Sequence, residues 1–322
     1  MPESVAVIVE WENALLSDVE RARRMLRRLS DQAIDYARDR TTTFELVVVC
    51  DTSAIDVSVP ESVVTAEVDT RQWPGVIRML AAPHLHYYDQ KNFGATQTEA
   101  AVVVFLDSDV IPDDGWLRYL LDAIDDPRQM VVGGETYLSR DTFFDRVFAG
   151  FWIFEPRRNG VGLHDAAGFF ANNVAFKRRF FVSHQFPKAD CYRGQCTRLA
   201  AMIRQEGFAI GRHGEAAVSH PAPDGLKHSL LRAICHGHDR VYWLRLEKFG
   251  AMRASPIGAL VRFVRTCLGL LTLVPARARQ LRTDPFTALT AAVVAVGFHL
   301  VILGSETVAY FNPRLIRSHI HI

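Results

Sequence analysis

Residues 101–116, AVVVFLDSDVIPDDGW, constrain this chain more than any other stretch. The apolar, β-branched run from Ala101 to Leu106 has the composition of a strand, and it delivers two carboxylates, Asp107 and Asp109, to its carboxyl end. In open α/β sheets that end is where ligands bind. Residues two apart on an extended chain point the same way, so Asp107 and Asp109 can address one cation, directly or through water, while Ser108 points elsewhere. Such a pair suits Mg²⁺ or Mn²⁺ holding a diphosphate. Asp-x-Asp after a strand also fits a simple cap of the following turn and helix, and these residues alone leave both readings open.

The flanking sequence alternates strand-like and helical runs. Val5–Val9 is a short β-branched strand, and Leu15–Arg38 follows with Leu15, Val19, Ala22, Leu26, Leu29, Ala33 and Ala37 at helical spacing. Phe44–Cys50 reads as the next strand and Val63–Val68 as a third, whereas the weaker run Ile77–Tyr87 is interrupted by Pro83. A helix over Asn92–Ala100, opened by Gln90 and Lys91, leads into the Asp-x-Asp strand, and Val131–Glu135 reads as another strand. This βαβ rhythm predicts an α/β fold, a mostly parallel sheet flanked by helices. With 322 residues, about half of them apolar, the chain can bury one such core and still carry an appendage. The expected division is an α/β domain over 1–225 and a helical region over 226–322.

A formal net charge of +1 gives no case for a nucleic-acid partner. Five scattered cysteines argue for a reducing compartment, and MPES passes into a strand without the features of a signal peptide, so a cytoplasmic location is expected. The tail adds two apolar segments, 257–274 and 286–304, the first carrying Arg262 and Arg265. Arg277, Arg279 and Arg282 lie between them, and Arg314 and Arg317 follow. A spanning hairpin would place the connecting arginines outside, against the positive-inside tendency. In-plane or re-entrant helices on the cytoplasmic membrane face are therefore expected, with a buried helix pair or a homo-oligomer contact as the alternative.

The segments VAVIVEWEN, FELVVVCDTS, YYDQKNFGATQTEA, VVFLDSDVIPDDGWL and FFANNVAFKR occur in the order and spacing of the inverting family-2 glycosyltransferases with the nucleotide-binding GT-A fold. Over roughly residues 5–225 the chain resembles that family. The resemblance implies metal-dependent transfer of a sugar from a nucleoside-diphosphate donor to a hydroxyl of a saccharide or lipid-linked acceptor, in envelope polysaccharide or glycan synthesis. It implies that Asp107 and Asp109 hold Mg²⁺ or Mn²⁺, with Asp107 also on the donor, and that His220 matches a histidine some members place near the metal. It assigns Asp51 to the nucleoside, a role that suits a carboxylate accepting N–H or hydroxyl donors.

Around the donor, Glu10 and Trp11 stand where the family has its first loop, and Trp11 either stacks on the base or packs. Lys91 beside a helix amino terminus suits a phosphate. Gly134, next to Gly133, allows close approach of backbone to a sugar, while Asn172 and Asn173 can bond sugar hydroxyls or form a turn. The chain also departs from the family. Cys50 replaces the first acid of the Asp-Asp-Gly-Ser turn, and Gln195 and Cys196 stand where a Glu-Asp pair usually supplies the base. Asp190 is the nearest carboxylate and the candidate catalytic base. The missing pair leaves a second expectation, a non-catalytic nucleotide-sugar-binding or scaffold subunit of a polysaccharide assembly complex, which Asp107 and Asp109 oppose. Cys235, His236 and His238 lack a second ligand pair at zinc-site spacing and are not expected to bind zinc.

Overall fold

The computed structural model of the chain describes residues 2–16, 19–38, 40–157, 160–246 and 251–319. Its first elements are β1 (Ser4–Glu10), α1 (Glu12–Leu16), α2 (Val19–Arg38), β2 (Thr43–Cys50), α3 (Ser58–Glu67), β3 (Gly75–Ala81), α4 (Tyr87–Thr96) and β4 (Val102–Asp107). Then come β5 (Ile111–Pro112), α5 (Trp116–Asp125), β6 (Val131–Leu138), α6 (Phe143–Ala149), β7 (Leu163–Asp165), β8 (Asn173–Lys177), α7 (Arg178–Ser183), α8 (Gln195–Gln205) and β9 (Gly211–His220). Helices α9 (Gly225–Leu246), α10 (Ala251–Ala254), α11 (Pro256–Leu281), α12 (Pro285–Phe311) and α13 (Pro313–His319) follow. Backbone contacts group residues 1–137, 157–188 and 195–220 into one compact unit and residues 138–156, 189–194 and 221–322 into another. Segments 138–156 and 189–194 thus cluster with the carboxyl-terminal helices.

The first unit is built on a mixed sheet of order β3-β2-β1-β4-β8-β6-β9-β5, with β7 paired to β9. Strands β3, β2, β1 and β4 run parallel, as the βαβ rhythm requires, whereas β8 turns antiparallel to β4 and to β6. Strand β1 shows why both faces are covered. Val5, Val7 and Val9 pack with Met25, Leu26 and Leu29 of α2 and with Leu117, Leu120 and Leu121 of α5. Ala6 and Ile8 join the opposite cluster with Tyr87, Phe105, Phe176, Phe181 and Leu199. A strand buried on both sides needs a continuous apolar run, which β1 and β4 have.

Three local expectations change. Val63–Val68 belongs to helix α3, not to a strand. Its short apolar run carries no decisive period, Pro60 fits a first helical turn, and Glu67 receives Arg23 at 2.6 Å and Arg27 at 3.3 Å. The third parallel strand is instead β3, in register with β2 from Phe44↔Gly75 onward. Helix α4 starts at Tyr87 and ends at Thr96, a turn earlier than expected, and this displaces Lys91 from the helix amino terminus to its interior.

In the second unit α9 and α12 pack at close range. A Cβ on Gly237 would come within 2.6 Å of the Ser305 Cβ, and the Ser305 hydroxyl donates to the Ile234 carbonyl at 2.6 Å. Beside it Glu306, 1% exposed, accepts Arg240 at 2.8 Å and also pairs with Arg262. The outward faces are apolar: Ile257, Leu260, Val264, Leu268 and Leu271 line α11, and Phe286, Leu289, Val293 and Leu300 line α12, all exposed. Both helices are long and apolar enough to cross a membrane by length and composition.

Gly237→Leu is expected to lower stability by ~1–3 kcal/mol through overpacking against Ser305. Gly269→Ala, whose Cβ meets no atom within 4 Å, should be neutral or slightly stabilising in the same chemical-denaturation measurement. Equal behaviour of the two variants would contradict the tight α9–α12 contact.

Candidate active site

The carboxyl ends of β1 and β4 are register partners, so Glu10 and Asp107 lie side by side at the top of the sheet. Both are buried, and among the described residues the ammonium of Lys91 compensates them from α4, 2.6 Å from Asp107 Oδ1. The Tyr87 hydroxyl contacts both Asp107 oxygens at 2.8 and 2.9 Å. Asn13 ties the two acids together: its Nδ2 donates to Glu10 Oε1 at 2.8 Å and to Asp107 Oδ2 at 3.1 Å, and its backbone N–H donates to Glu10 Oε2. Glu12 accepts the Tyr87 amide at 2.7 Å, placing a carboxylate at the amino terminus of α4, where the helix dipole favours it. Burial, then the neighbouring Asp107, holds the Glu10 carboxyl well above the ordinary range, against the pull of Lys91.

Asp109 sits one step further along, 3% exposed. Its Oδ1 has no hydrogen-bond partner among the described residues, and its Oδ2 lies 3.7 Å from His220 Nε2 at the end of β9. Arg21, a residue the sequence reading missed, clamps these two pieces from α2: its Nε donates to the Asp109 carbonyl at 2.7 Å and its NH2 to the Ser219 carbonyl at 2.9 Å. Ser108 turns away and accepts the Ala14 amide at 2.8 Å, as the two-residue repeat of a strand end requires. Among the described residues no three His, Cys, Asp or Glu side chains form a complete metal cage. A cation here would be held by Asp109 and His220 together with ligand or water oxygens.

After β2, Asp51 accepts three donors on Oδ1: the Ser53 amide at 2.9 Å, the Ser53 hydroxyl at 2.6 Å and the His84 amide at 2.8 Å. Partial burial raises its carboxyl, but these bonds outweigh it and hold Asp51 below the ordinary range. His84 presents its amide from a left-handed backbone, φ 62°, an uncommon conformation for a residue with a side chain. None of these three bonds reaches Oδ2.

Several expected donor contacts have other work. Trp11 is 1% exposed and packs in the core below the site, so its ring is not available to stack on a base. Lys91 is fully buried against Asp107 and is no solvent-facing phosphate contact, because α4 begins a turn before the expected point. Asn173 is a buried clip: its Oδ1 accepts Trp116 Nε1 at 2.7 Å and its Nδ2 donates to the carbonyls of Glu135 and Ala216 at 2.8 and 2.9 Å. Those bonds use both amide protons and leave no donor for a sugar. Gly134 is required by the same clip, since a Cβ there would overlap the Ala216 carbonyl and the Asn173 amide, so its glycine serves strand packing. Asn172, in the turn just before β8, accepts the Thr136 hydroxyl of β6 at 2.9 Å.

Asp190 belongs to the second unit, 69% exposed on its side chain, where it pairs with Arg317 and its amide donates to the Tyr242 oxygen at 3.1 Å. Gln195 and Cys196 open α8 in the first unit, and the Tyr88 hydroxyl lies 3.3 Å from the Cys196 sulfur. Neither side chain is a carboxylate: Gln195 carries a neutral amide and Cys196 a thiol.

A parallel half-sheet with acids at its carboxyl ends, continued by antiparallel strands, defines a nucleotide-sugar-binding GT-A fold. The profile of "Glycosyl transferase family 2" matches residues 19–183, just over half of the chain, and the chain belongs to that family of glycosyltransferases. No curated protein sequence matches it. Among solved structures it is similar to the mannosyltransferase PcManGT from Pyrobaculum calidifontis in complex with GDP-Man and Mn²⁺. That likeness has a TM-score of 0.51 and 17% identity, covering 98% of this chain and 86% of the other. S. aureus TarS 1–349 in complex with UDP-GlcNAc gives 0.52 and 12%, covering 97% and 92%. GalNAc-T7 with UDP, GalNAc and Mn²⁺ gives 0.47 and 13% over 68% of this chain, which spans 43% of that protein's length. At these identities the likeness is one of fold.

Lys91→Met leaves Glu10 and Asp107 buried without a cation, and its expected cost is ~3–5 kcal/mol at pH 8. The sign with pH follows from Glu10, whose carboxyl is raised on folding: native Glu10 keeps its proton as pH rises past the ordinary carboxylate range while the unfolded chain loses it, so its contribution to stability falls with rising pH. The Lys91→Met deficit should therefore shrink toward pH 4, as urea denaturation at both pH values would show. A deficit independent of pH would mean that Lys91 acts by packing alone.

Proposed function

We propose that this protein transfers a sugar, with inversion, from a nucleoside-diphosphate donor to a hydroxyl of a saccharide or lipid-linked acceptor in envelope polysaccharide or glycan synthesis, with Mg²⁺ or Mn²⁺ as cofactor. The observation that carries the proposal is Asp109, a buried carboxylate with one oxygen unpartnered and an imidazole nitrogen 3.7 Å from the other. A buried carboxylate oxygen without a partner is costly, and a divalent cation is the group that fits this donor set. Asp109 and His220 would hold it, with Asp107 reaching it through water, and it would supply charge neutralisation for the departing diphosphate. Asp51 would take a nucleoside donor on Oδ2. The nucleotide sugars named with two structures of the same fold support this donor class.

Asp190 is the proposed base, and because Arg317 engages its carboxylate, that role requires the pair to open. Gln195 and Cys196 in place of the usual acids favour a second reading, a donor-binding subunit without turnover. Asp109→Asn discriminates at the cation. It is expected to abolish Mn²⁺-dependent thermal protection by a nucleotide sugar, and to slow transfer by several kcal/mol of barrier, while the apo protein melts as before. Unchanged metal-dependent protection in Asp109→Asn would remove the metal assignment. Metal-dependent protection in the parent protein without transfer to any saccharide or lipid acceptor would favour the binding subunit.

We further propose residues 1–225 as the catalytic domain and 226–322 as an appendage lying in the plane of the cytoplasmic membrane face. Helix α9 carries Lys227, Arg232, Arg240 and Arg245 and packs along α12 through the Glu306 ion cluster. A full crossing by α12 would draw that cluster and α9 into hydrocarbon, at high cost. Immersion of the outer apolar stripes alone avoids this. The full chain should sediment with membranes and be released by alkaline carbonate, and Leu271→Asp with Val293→Asp should move it to the soluble fraction. Retention through carbonate would indicate a spanning helix, and a parent chain that is soluble without lipid would make the stripes an oligomer contact.

A further inference from the structure

Between α11 and α12 runs a groove of about 630 Å³, within the roughly 300–1,000 Å³ of small-molecule sites. Its walls are apolar, formed by Leu270, Leu271, Val274, Leu289, Ala292 and Val296. From Cys267 to Arg282 it follows ~22 Å of helix at ~1.5 Å per residue, more than the ~15 Å hydrocarbon depth of one bilayer leaflet. One end is different in kind. There Arg279 and Arg282 line the groove, both exposed and neither paired with an acid among the described residues. Arg279 makes one weak bond, from its Nε to the Pro275 carbonyl at 3.4 Å.

The charges around that end leave the arginines available. Asp284 is the adjacent acid in sequence, but it caps α12, with Oδ1 on the Thr287 amide at 2.9 Å and Oδ2 on the Thr287 hydroxyl at 2.6 Å. The last carbonyls of α11 are also covered: Arg140 donates to Leu281 at 2.7 Å, and the Thr283 amide donates to Ala278 at 2.8 Å. Arg277, by contrast, is buried and fixed on the Ala149 and Trp152 carbonyls. Arginine and lysine stems commonly cover apolar surface while their heads reach outward. Here two guanidinium groups stand at the mouth of an apolar slot, a geometry complementary to an anion on an apolar tail.

We infer that this groove binds one anionic phospholipid, with an acyl chain between α11 and α12 and the phosphate of its net-negative headgroup on Arg279 and Arg282. Guanidinium groups recognise phosphate by paired N–H donors. The inference rests on the membrane attachment proposed above and adds a defined lipid site to it. A bound lipid would also fill the space between the two helices, which otherwise meet along an incompletely packed seam.

Native mass spectrometry of the full chain released from neutral-detergent micelles tests the site, with phosphatidylglycerol and phosphatidylcholine added at equal concentration. The expected result is one retained phosphatidylglycerol per chain in preference to phosphatidylcholine. R279Q/R282Q should lower that retention ~30-fold, taking about one kcal/mol for each arginine near a lipid headgroup. Ala292→Trp, which fills the slot and keeps both arginines, should lower retention of both lipids, and inorganic phosphate should not displace the lipid. Equal retention of the two lipids by the parent, or undiminished phosphatidylglycerol on R279Q/R282Q, overturns the site. Flotation with phosphatidylcholine vesicles containing phosphatidylglycerol is read separately. If flotation persists while selectivity fails, attachment stands and the groove assignment falls; if flotation is absent at every composition, attachment itself falls.

Discussion

The ion pair between Lys91 and Asp107 is the constraint on which the candidate active site depends. Parallel register between β1 and β4 sets Glu10 beside Asp107, and burial makes two adjacent carboxyls untenable without a cation or a retained proton. The site uses both devices. Helix α4 must start at Tyr87 for Lys91 to point at Asp107, and that start is fixed by Glu12 at its amino terminus and by Tyr87 and Tyr88 in the core. The first loop, the first parallel pair and α4 are therefore one electrostatic assembly. Asp109, the next acid outward, keeps one buried oxygen without a hydrogen-bond partner among the described residues.

A different economy of polar groups governs the antiparallel half of the sheet. Asn173 satisfies its side chain on Trp116, Glu135 and Ala216, and Gly134 is the residue that leaves room for it. A buried amide with all its bonds made locks strand register, since any slip would orphan several polar groups at once. Residues that look like sugar contacts in the sequence thus hold the frame that positions Asp109 and His220. The helical unit inverts the usual arrangement: the charged cluster of Glu306, Arg240 and Arg262 lies among its helices while leucine, valine and phenylalanine face outward. That distribution is stable where the outer surface meets an apolar medium.

Much of the fold was legible in the sequence. Continuous β-branched runs marked β1, β2 and β4 because strands covered on both faces cannot alternate, and the helical spacing of Ala22, Leu26, Leu29 and Ala33 marked α2. Val63–Val68 misled because two adjacent valines carry no period, and the start of α4 was misplaced because no Ser, Thr, Asp or Asn stands at its amino-terminal cap, which is His86. Of the candidate site, Asp107, Asp109, Asp51 and His220 were legible as polar residues at strand ends. Arg21 was not, because an arginine on an amphipathic helix looks solvated until two strand ends arrive beneath it.

The sequence by itself determined the parallel core, the placement of acids at its carboxyl edge and the apolar character of the last helices, because these follow from local composition and period. Tertiary structure decided which of those acids are engaged. The pairing of Glu10 with Asp107 across 97 residues, the burial of Lys91 against Asp107 and the closure of Asn173 over Gly134 all depend on strand register and helix start. Those quantities arise only when distant segments compete for the same buried hydrogen bonds, and no local pattern encodes the outcome of that competition.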